Sequence, residues 1–405
     1  KNTLMNKAKI AKTFSVGISD WKESLNTCIA ILKMGLKKRR GIYIYRNEMI
    51  NVTKTYLPNI DKYKSYIDEI YANGQLTNNG PLVQKLERRL EEYLGVNNVI
   101  LVANGTLALD IAYRVLNLTG DVITTPFSFV ATTSSIVSNG LNPLFSDISP
   151  HTFNIDPNLI EEKITSKTSA IVPVHVFGNA CEVEDIQKIA ERHSLKVIYD
   201  AAHAFDVQYK EGSILNYGDI STLSFHATKL FHTIEGGALI IKDDELANKA
   251  RGLINFGFNN IGEIVDLGVN AKMNEFEAAM GLCVLDDINL ILEKRKAAYN
   301  NYYQALNDRV QLQEKNNNSS NNYAYFPIVL DSERQLLSIV QKLNKMQIFP
   351  RRYFQLSLNK LNYVEQGQIC PVSEDISSRV LCLPLSHSIE EKDQNIIINT
   401  VLETL

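Results

Sequence analysis

Ser224-Phe-His-Ala-Thr-Lys-Leu-Phe-His-Thr-Ile-Glu-Gly-Gly237 is the stretch on which the reading of this chain turns. Lys229 stands just past the buried run Thr222-Leu-Ser-Phe, and Gly236 and Gly237 precede the next run, Ala238-Leu-Ile-Ile. A lysine so placed can form a Schiff base with an aldehyde cofactor. Desolvation and a nearby cation would lower its pKa, so that it could also move protons. Taken alone, a lysine after a strand is usually a solvated loop residue.

Three further segments lift it above that reading. The run Lys196-Val-Ile-Tyr ends in Asp200-Ala-Ala-His203. An aspartate at the carboxyl end of a parallel strand faces the ligand crevice, where a carboxylate can keep a pyridine nitrogen protonated and make the ring an electron sink. The plain alternative is a helix N-cap. Upstream, Val99-Ile-Leu-Val leads into Ala103-Asn-Gly-Thr-Leu-Ala-Leu109. Gly105 allows close backbone approach to an anion, and the amides and hydroxyl that open the following helix, with Thr106, can bind a phosphate. Asn-Gly-Thr is also an ordinary capped helix start. Finally, Thr125-Pro-Phe-Ser-Phe129 places Phe129 after another strand end, where it either stacks on a cofactor ring or joins the core. Together the four segments supply a phosphate cradle, a stacking aromatic, a pyridinium partner and a Schiff-base lysine, all expected at one sheet edge.

The frame for that edge is the alternation of short β-branched runs with helical stretches. Val99-Ile-Leu-Val, Val122-Ile-Thr, Pro143-Leu-Phe-Ser-Asp, Ala170-Ile-Val-Pro-Val, Lys196-Val-Ile-Tyr-Asp, Thr222-Leu-Ser-Phe and Ala238-Leu-Ile-Ile read as buried strands. Pro81–Leu94, with apolar Leu82, Val83, Leu86, Leu90 and Leu94, reads as a helix, as do Thr106–Val115 and Glu182–His193. The alternation predicts an α/β fold with a mainly parallel seven-stranded sheet covered on both faces. Asn274–Arg295 reads as a long helical region. Glu314-Lys-Asn-Asn-Asn-Ser-Ser-Asn-Asn reads as a flexible surface loop. Residues 323–405 mix short strands and helices. The expected division is an extension over 1–48, a large cofactor-binding domain over 49–295 and a small α+β C-terminal domain over 296–405.

The bulk properties agree with a large globular enzyme. The chain has 405 residues, 45% hydrophobic and 21% charged, which suffices for an extensive core. A net charge of −3 gives it no general attraction for nucleic acid or anionic membranes. Cys28, Cys181, Cys283, Cys370 and Cys382 are scattered and form no CxxC pair. In so long a chain they read as reduced thiols of a cytoplasmic protein. No metal is called for, and no apolar run approaches a bilayer span. The extension carries Lys33, Lys37, Lys38, Arg39 and Arg40 ahead of a second start-like Met49. It reads as dispensable, with a membrane-surface helix and a docking element for a neighbouring subunit as alternatives.

These motifs resemble the sugar aminotransferases of the DegT/DnrJ/EryC1/StrS family. The match covers roughly residues 55–400 and runs through Gln75-Leu-Thr-Asn-Asn-Gly-Pro, Asn104-Gly-Thr-Leu-Ala-Leu, Thr125-Pro-Phe-Ser-Phe-Val-Ala-Thr, Asp200-Ala-Ala-His, Ser224-Phe-His-Ala-Thr-Lys, Glu235-Gly-Gly, Gly268-Val-Asn-Ala-Lys-Met-Asn-Glu and Leu381-Cys-Leu-Pro-Leu. The resemblance implies the pyridoxal-phosphate transferase fold of type I, like aspartate aminotransferase. It implies Lys229 as the Schiff-base lysine and Asp200 as partner of the pyridinium nitrogen. Gly105, Thr106 and Ser224 would hold the phosphate of pyridoxal 5'-phosphate, Phe129 would stack on its ring, and His203 would lie near its phenolic oxygen. Asn270 would reach a neighbouring subunit's phosphate in a homodimer with shared sites. Glu235-Gly-Gly would shape the loop beyond the lysine. L-Glutamate and 2-oxoglutarate are the implied donor pair, in ping-pong exchange.

Within the family, Arg351-Arg-Tyr-Phe resembles enzymes acting on dTDP-linked 4-keto or 3-keto deoxysugars, above all the viosamine-type 4-aminotransferases of surface-polysaccharide synthesis. Arg351, Arg352 and Tyr353 are the substrate candidates. One arginine would help neutralise the diphosphate, or the two form a solvated basic pair. Gln355-Leu356 stands where that group continues Tyr-Pro, so the substrate contacts around 353–357 depart from the pattern. The rivals are a 3-aminotransferase, a sugar dehydratase, which carries histidine in place of the lysine, and a non-catalytic regulatory relative.

Overall fold

Seven β-branched runs do become one seven-stranded sheet, because each is apolar on both faces and must be covered twice. The computed structural model describes residues 49–259 and 261–405. The extension 1–48, with the three readings attached to it, lies outside the described residues.

In chain order, β1 (Ile50–Asn51) is followed by α1 (Ile60–Asn73) and α2 (Pro81–Leu94). Then β2 (Val99–Val102) leads to α3 (Gly105–Val115), β3 (Asp121–Thr124) to α4 (Val130–Ser138), and β4 (Asn142–Phe145) to β5 (Thr168–Val172). Helix α5 (Val183–His193) and β6 (Lys196–Asp200) precede a short hairpin, β7 (Gln208–Tyr209) and β8 (Gly212–Ser213). Next come β9 (Ile220–Ser224), β10 (Gly237–Ile241), α6 (Asp244–Leu253), α7 (Glu275–Asp286) and α8 (Ile288–Leu306). The remainder is β11 (Gln311–Leu312), β12 (Phe326–Val329), α9 (Glu333–Lys345), β13 (Ile348–Phe349), α10 (Pro371–Arg379), β14 (Val380–Leu383) and α11 (Glu391–Leu402).

The large sheet has the order β2-β10-β9-β6-β5-β3-β4. Strand β10 runs antiparallel to both its neighbours, and every other pair is parallel. Alternate residues feed opposite cores. Val99, Leu101, Ala238 and Ile240 pack on one face with α2, α5 and α7. Ile100, Val102, Leu239 and Ile241 pack on the other with α3 and α6. The three-stranded antiparallel sheet β11-β12-β14 lies under α8, α9 and α11 with its own core.

Three expectations need adjustment. The helical region 274–295 is two helices broken at Asp287 (φ −103°, ψ 6°), whose carboxylate accepts a hydrogen bond from the Tyr56 hydroxyl at 2.9 Å. The change of core falls inside α8, with Ile291 in the large core and Ala298, Tyr302 and Leu306 in the small one. The start of the large domain is also different, since β1 pairs with β13 and Ile50 packs on the C-terminal core. By contacts, the described chain is one compact unit.

The asparagine-rich stretch is not a free loop. Asn322 is buried and donates to the carbonyls of His203 (2.8 Å) and Phe205 (2.9 Å). Asn316 is buried too, with its amide on Asn179 Oδ1 and its side chain on Glu182. Side-chain amides that satisfy buried backbone groups turn a polar tract into a strap. That strap clamps the segment after Asp200.

Glu275 anchors α2 to α7. Its buried carboxylate accepts the amides of Leu82 (2.8 Å) and Val83 (2.9 Å), which open α2 and have no partner within the helix. Asn274 closes a capping box with Glu277 on the same turn. Glu275→Ala strands two buried donors, at about 1–3 kcal/mol each. Urea denaturation should show a loss of about 2–4 kcal/mol, with Glu275→Gln between mutant and wild type. An unchanged midpoint would mean that water replaces the carboxylate.

Candidate active site

The carboxyl ends of β2, β6 and β9 carry the candidate residues, at the edge where open parallel sheets place ligand crevices. At β2, Asn104 caps α3 through the Leu107 amide at 2.9 Å, leaving the first amides of the helix, Gly105 and Thr106, to point outward. Thr106 is exposed and Gly105 half-buried. A Cβ on Gly105 would lie 2.8 Å from the Ser224 Cβ, so the helix start and the end of β9 meet. Glycine also governs the partner strand. A Cβ on Gly237 would fall 2.7 Å from Asn104 C and Gly105 N, and one on Gly236 would strike Thr233 Oγ1. The Gly-Gly pair is thus required by the cradle beside it, as well as by the loop beyond the lysine.

Asp200 ends β6 and is 6% exposed. Its Oδ2 accepts from Thr132 Oγ1 at 2.7 Å and its Oδ1 from the Ala202 amide at 3.1 Å. Burial pushes its pKa up, while those donors and the Lys229 charge pull the other way. Lys229 is half-buried on the turn after β9, its amide bonded to the His226 carbonyl. Desolvation lowers its ammonium to about 8, against the pull of Asp200. The lysine and aspartate therefore feel one another across the site.

His203 takes the Phe177 amide on Nδ1 at 3.2 Å, which leaves the ring proton on Nε2. Burial holds this imidazole neutral. Its ring lies parallel to Phe177 and Phe354, at 6.1 and 6.0 Å, with Tyr325 tilted at 4.7 Å. A narrow recess is lined by Lys229, His203, Ser224, Thr228, Phe205 and Tyr325, among others. A wider groove lies beside α5, and it shares no residue with this recess.

The other candidates are spread more widely. Phe129 is the N-cap residue of α4 and 57% exposed, so it is no core residue. Asn270 is exposed, on a segment bridged to Asn255 beside an apolar hairpin. Arg352 is committed to structure. Its guanidinium pairs with Glu333 at 2.7 Å and donates to the Ser378 carbonyl at 3.0 Å. Arg351 is exposed, with its guanidinium over the Tyr353 ring at 5.3 Å. Tyr353 packs against Phe354 and Tyr325, and so adjoins the recess.

Sequence reasoning missed Thr132, Ser128, Tyr325 and Asn322. Ser128 and Thr132 stood in the quoted Thr125–Thr132 motif, Ser128 just before the N-cap of α4 and Thr132 in its first turn. Tyr325 and Asn322 carried no signal, since only the strap's path brings them to the site. Among the described residues, no group of three or more His, Cys, Asp or Glu could hold a metal ion. No helix there is long and apolar enough to cross a membrane.

Comparison with known proteins places this site in a lineage. The DegT/DnrJ/EryC1/StrS aminotransferase family profile matches residues 59–402. The dTDP-4-amino-4,6-dideoxy-D-glucose transaminase of Shigella dysenteriae is 44% identical over 361 residues, 87% of this chain and 98% of the relative. The Escherichia coli protein of the same name is 39% identical, over 85% of this chain and 96% of its own length. Among solved structures, DesI in the presence of its TDP-sugar product superposes with a TM-score of 0.84 at 31% identity, over 88% of this chain and 93% of that one. Sheet order, the lysine–aspartate pair and these matches agree: the chain belongs to the DegT/DnrJ/EryC1/StrS aminotransferase family.

Proposed function

We propose that this protein is a pyridoxal-phosphate enzyme that aminates a dTDP-linked 4-keto-6-deoxyglucose, with L-glutamate as donor and 2-oxoglutarate as by-product. The observation that carries the chemistry is the meeting of Lys229, Asp200 and the Gly105–Ser224 cradle at one sheet edge. The sugar follows the 44%-identical relative, whose name is that of the 4-amino product. An equatorial C4 amine, the viosamine-type product, would serve surface-polysaccharide synthesis in the cytoplasm.

The residues fit the cofactor. Gly105 and Thr106 amides and the Ser224 hydroxyl offer a phosphate site whose walls pack so closely that a Cβ at Gly105 or Gly237 would strike them. When bound, pyridoxal phosphate supplies an aldehyde and an electron-withdrawing ring. The protein supplies the rest. Lys229 Nζ, neutral above about pH 8, is the nucleophile toward the aldehyde and the base that moves the proton at the reacting carbon. Asp200 holds a proton at the ring nitrogen, and His203 Nε2 offers a neutral donor. Phe129 presents a free face for stacking. Gly237→Ala presses on the backbone of the cradle, which costs about 1–3 kcal/mol. Absorbance titration should show cofactor affinity lowered about 10–100-fold, and wild-type affinity would place the phosphate elsewhere.

The homodimer with Asn270 reaching across is supported by the neighbouring hairpin. Ile261, Ile264, Val265 and Leu267 are 65–81% exposed there, an apolar surface that asks for a partner. Of the two arginines, Arg352 is held by Glu333, whereas Arg351 lies exposed over the Tyr353 ring and is the better diphosphate contact.

The test mixes purified protein, pyridoxal phosphate, L-glutamate and dTDP-4-keto-6-deoxyglucose and identifies the sugar by NMR, with Lys229→Ala as control. A C4 amine absent with the variant supports the reading. Amine exchange with glutamate but no aminated sugar rejects this substrate and turns the search to 3-keto sugars.

A further inference from the structure

Asp200 is the end of a chain of hydroxyl groups. Thr132 is 0% exposed and Ser128 2%. Thr132 has one hydroxyl proton, and it points at the Asp200 carboxylate across 2.7 Å. The 2.7 Å contact between Ser128 and Thr132 must then be donated by Ser128. The order is Ser128 to Thr132 to Asp200. Each donation polarises the next, and in a buried site such cooperation is strong. The helix that carries Thr132 is itself pinned, because Ser135 donates to the Thr132 carbonyl and meets Tyr113 of α3 at 3.1 Å.

We infer that Ser128 and Thr132 are positioning residues for aminotransfer, a hydroxyl relay that keeps Asp200 ionised so that the shared proton stays on the cofactor's ring nitrogen. This rests on the pyridoxal-phosphate reading above. The physical need is plain. Asp200 is buried, which favours its neutral form, and a carboxylate made more basic by burial would take the proton from the ring and become neutral. A ring without that proton is a weaker electron sink. The other groups facing Asp200 do little to replace the relay. The Ala202 amide donates to the other oxygen, Oδ1, at the longer distance of 3.1 Å, Lys229 would be engaged by the aldehyde of a bound cofactor, and Tyr113 is a buried phenol.

The experiment is ¹⁵N NMR of holoenzyme loaded with ring-¹⁵N pyridoxal phosphate near neutral pH. Wild type, Thr132→Val, Thr132→Ser and Ser128→Ala are compared, with Asp200→Asn as the reference for a lost partner. The wild-type resonance should stand at the protonated position. In T132V the preference of the proton for nitrogen should fall about tenfold or more, and the resonance should move toward the unprotonated value. S128A should move it the same way by less, and T132S should restore it. A T132V resonance identical to wild type overturns the relay. Should T132V fail to fold, an unshifted S128A does the same. A wild-type chain that takes up no cofactor overturns the cofactor reading itself, and the relay with it.

Discussion

Alanine at position 229 stops aminotransfer and leaves the fold standing. Lys229 is half-buried, and its ammonium is disfavoured by burial, so removing it takes away a desolvated charge and costs the fold little. On the proposed mechanism its catalytic work has no substitute, since it would serve as both nucleophile and proton carrier. The expected fall in kcat is about 10⁴-fold or more, read by following 2-oxoglutarate, with thermal unfolding unchanged as the control. The wild type offers a further test in its pH dependence. Only the neutral amine captures the aldehyde, and burial brings its pKa down to about 8. Capture of cofactor by the apo-protein should therefore rise through pH 8 and level off above it. An ordinary lysine would still be gaining toward its usual value of about 10.4. A capture rate that keeps climbing past pH 9 would show that the lysine is solvated in solution.

Asp200→Asn should cost about 10²–10⁴-fold in kcat, and it should move the Lys229 midpoint below 8. The first effect follows from breaking a buried charge pair, which costs about 3–5 kcal/mol, with about 1.36 kcal/mol for each tenfold. The second follows from sign. The Asp200 carboxylate raises the pKa of Lys229 against desolvation, so its loss lets desolvation act alone and the midpoint falls. Capture assays across pH with D200N decide this. A midpoint that stays at wild type would mean that the two groups do not interact.

Much of the site was legible because its residues sit at strand ends in quoted motifs. Lys229, Asp200, Ser224 and Gly105 lie where strand period and sheet-edge logic put them, and the structure brings all four together. The strap was misread for a physical reason. Composition counts asparagine as solvated, yet Asn322 spends its amide on the His203 and Phe205 carbonyls after Asp200, and Asn316 is tied to Asn179 and Glu182. The break at Asp287 was hidden because α7 and α8 follow one another without proline or glycine.

Local pattern and spacing alone determined the seven strands, several of the helices between them and the order of cradle, aromatic, aspartate and lysine, since these depend on which side chains must be buried and which strand ends open outward. Only the tertiary structure decided what those residues touch. It set Gly237 against the cradle backbone, the Glu275 carboxylate on the start of α2, Arg352 on Glu333, and Ser128 and Thr132 behind Asp200. Each of these is a contact between segments distant in sequence or turned toward one another by packing. No periodicity records such contacts, because they are selected by the sites left unsatisfied once the elements have come together.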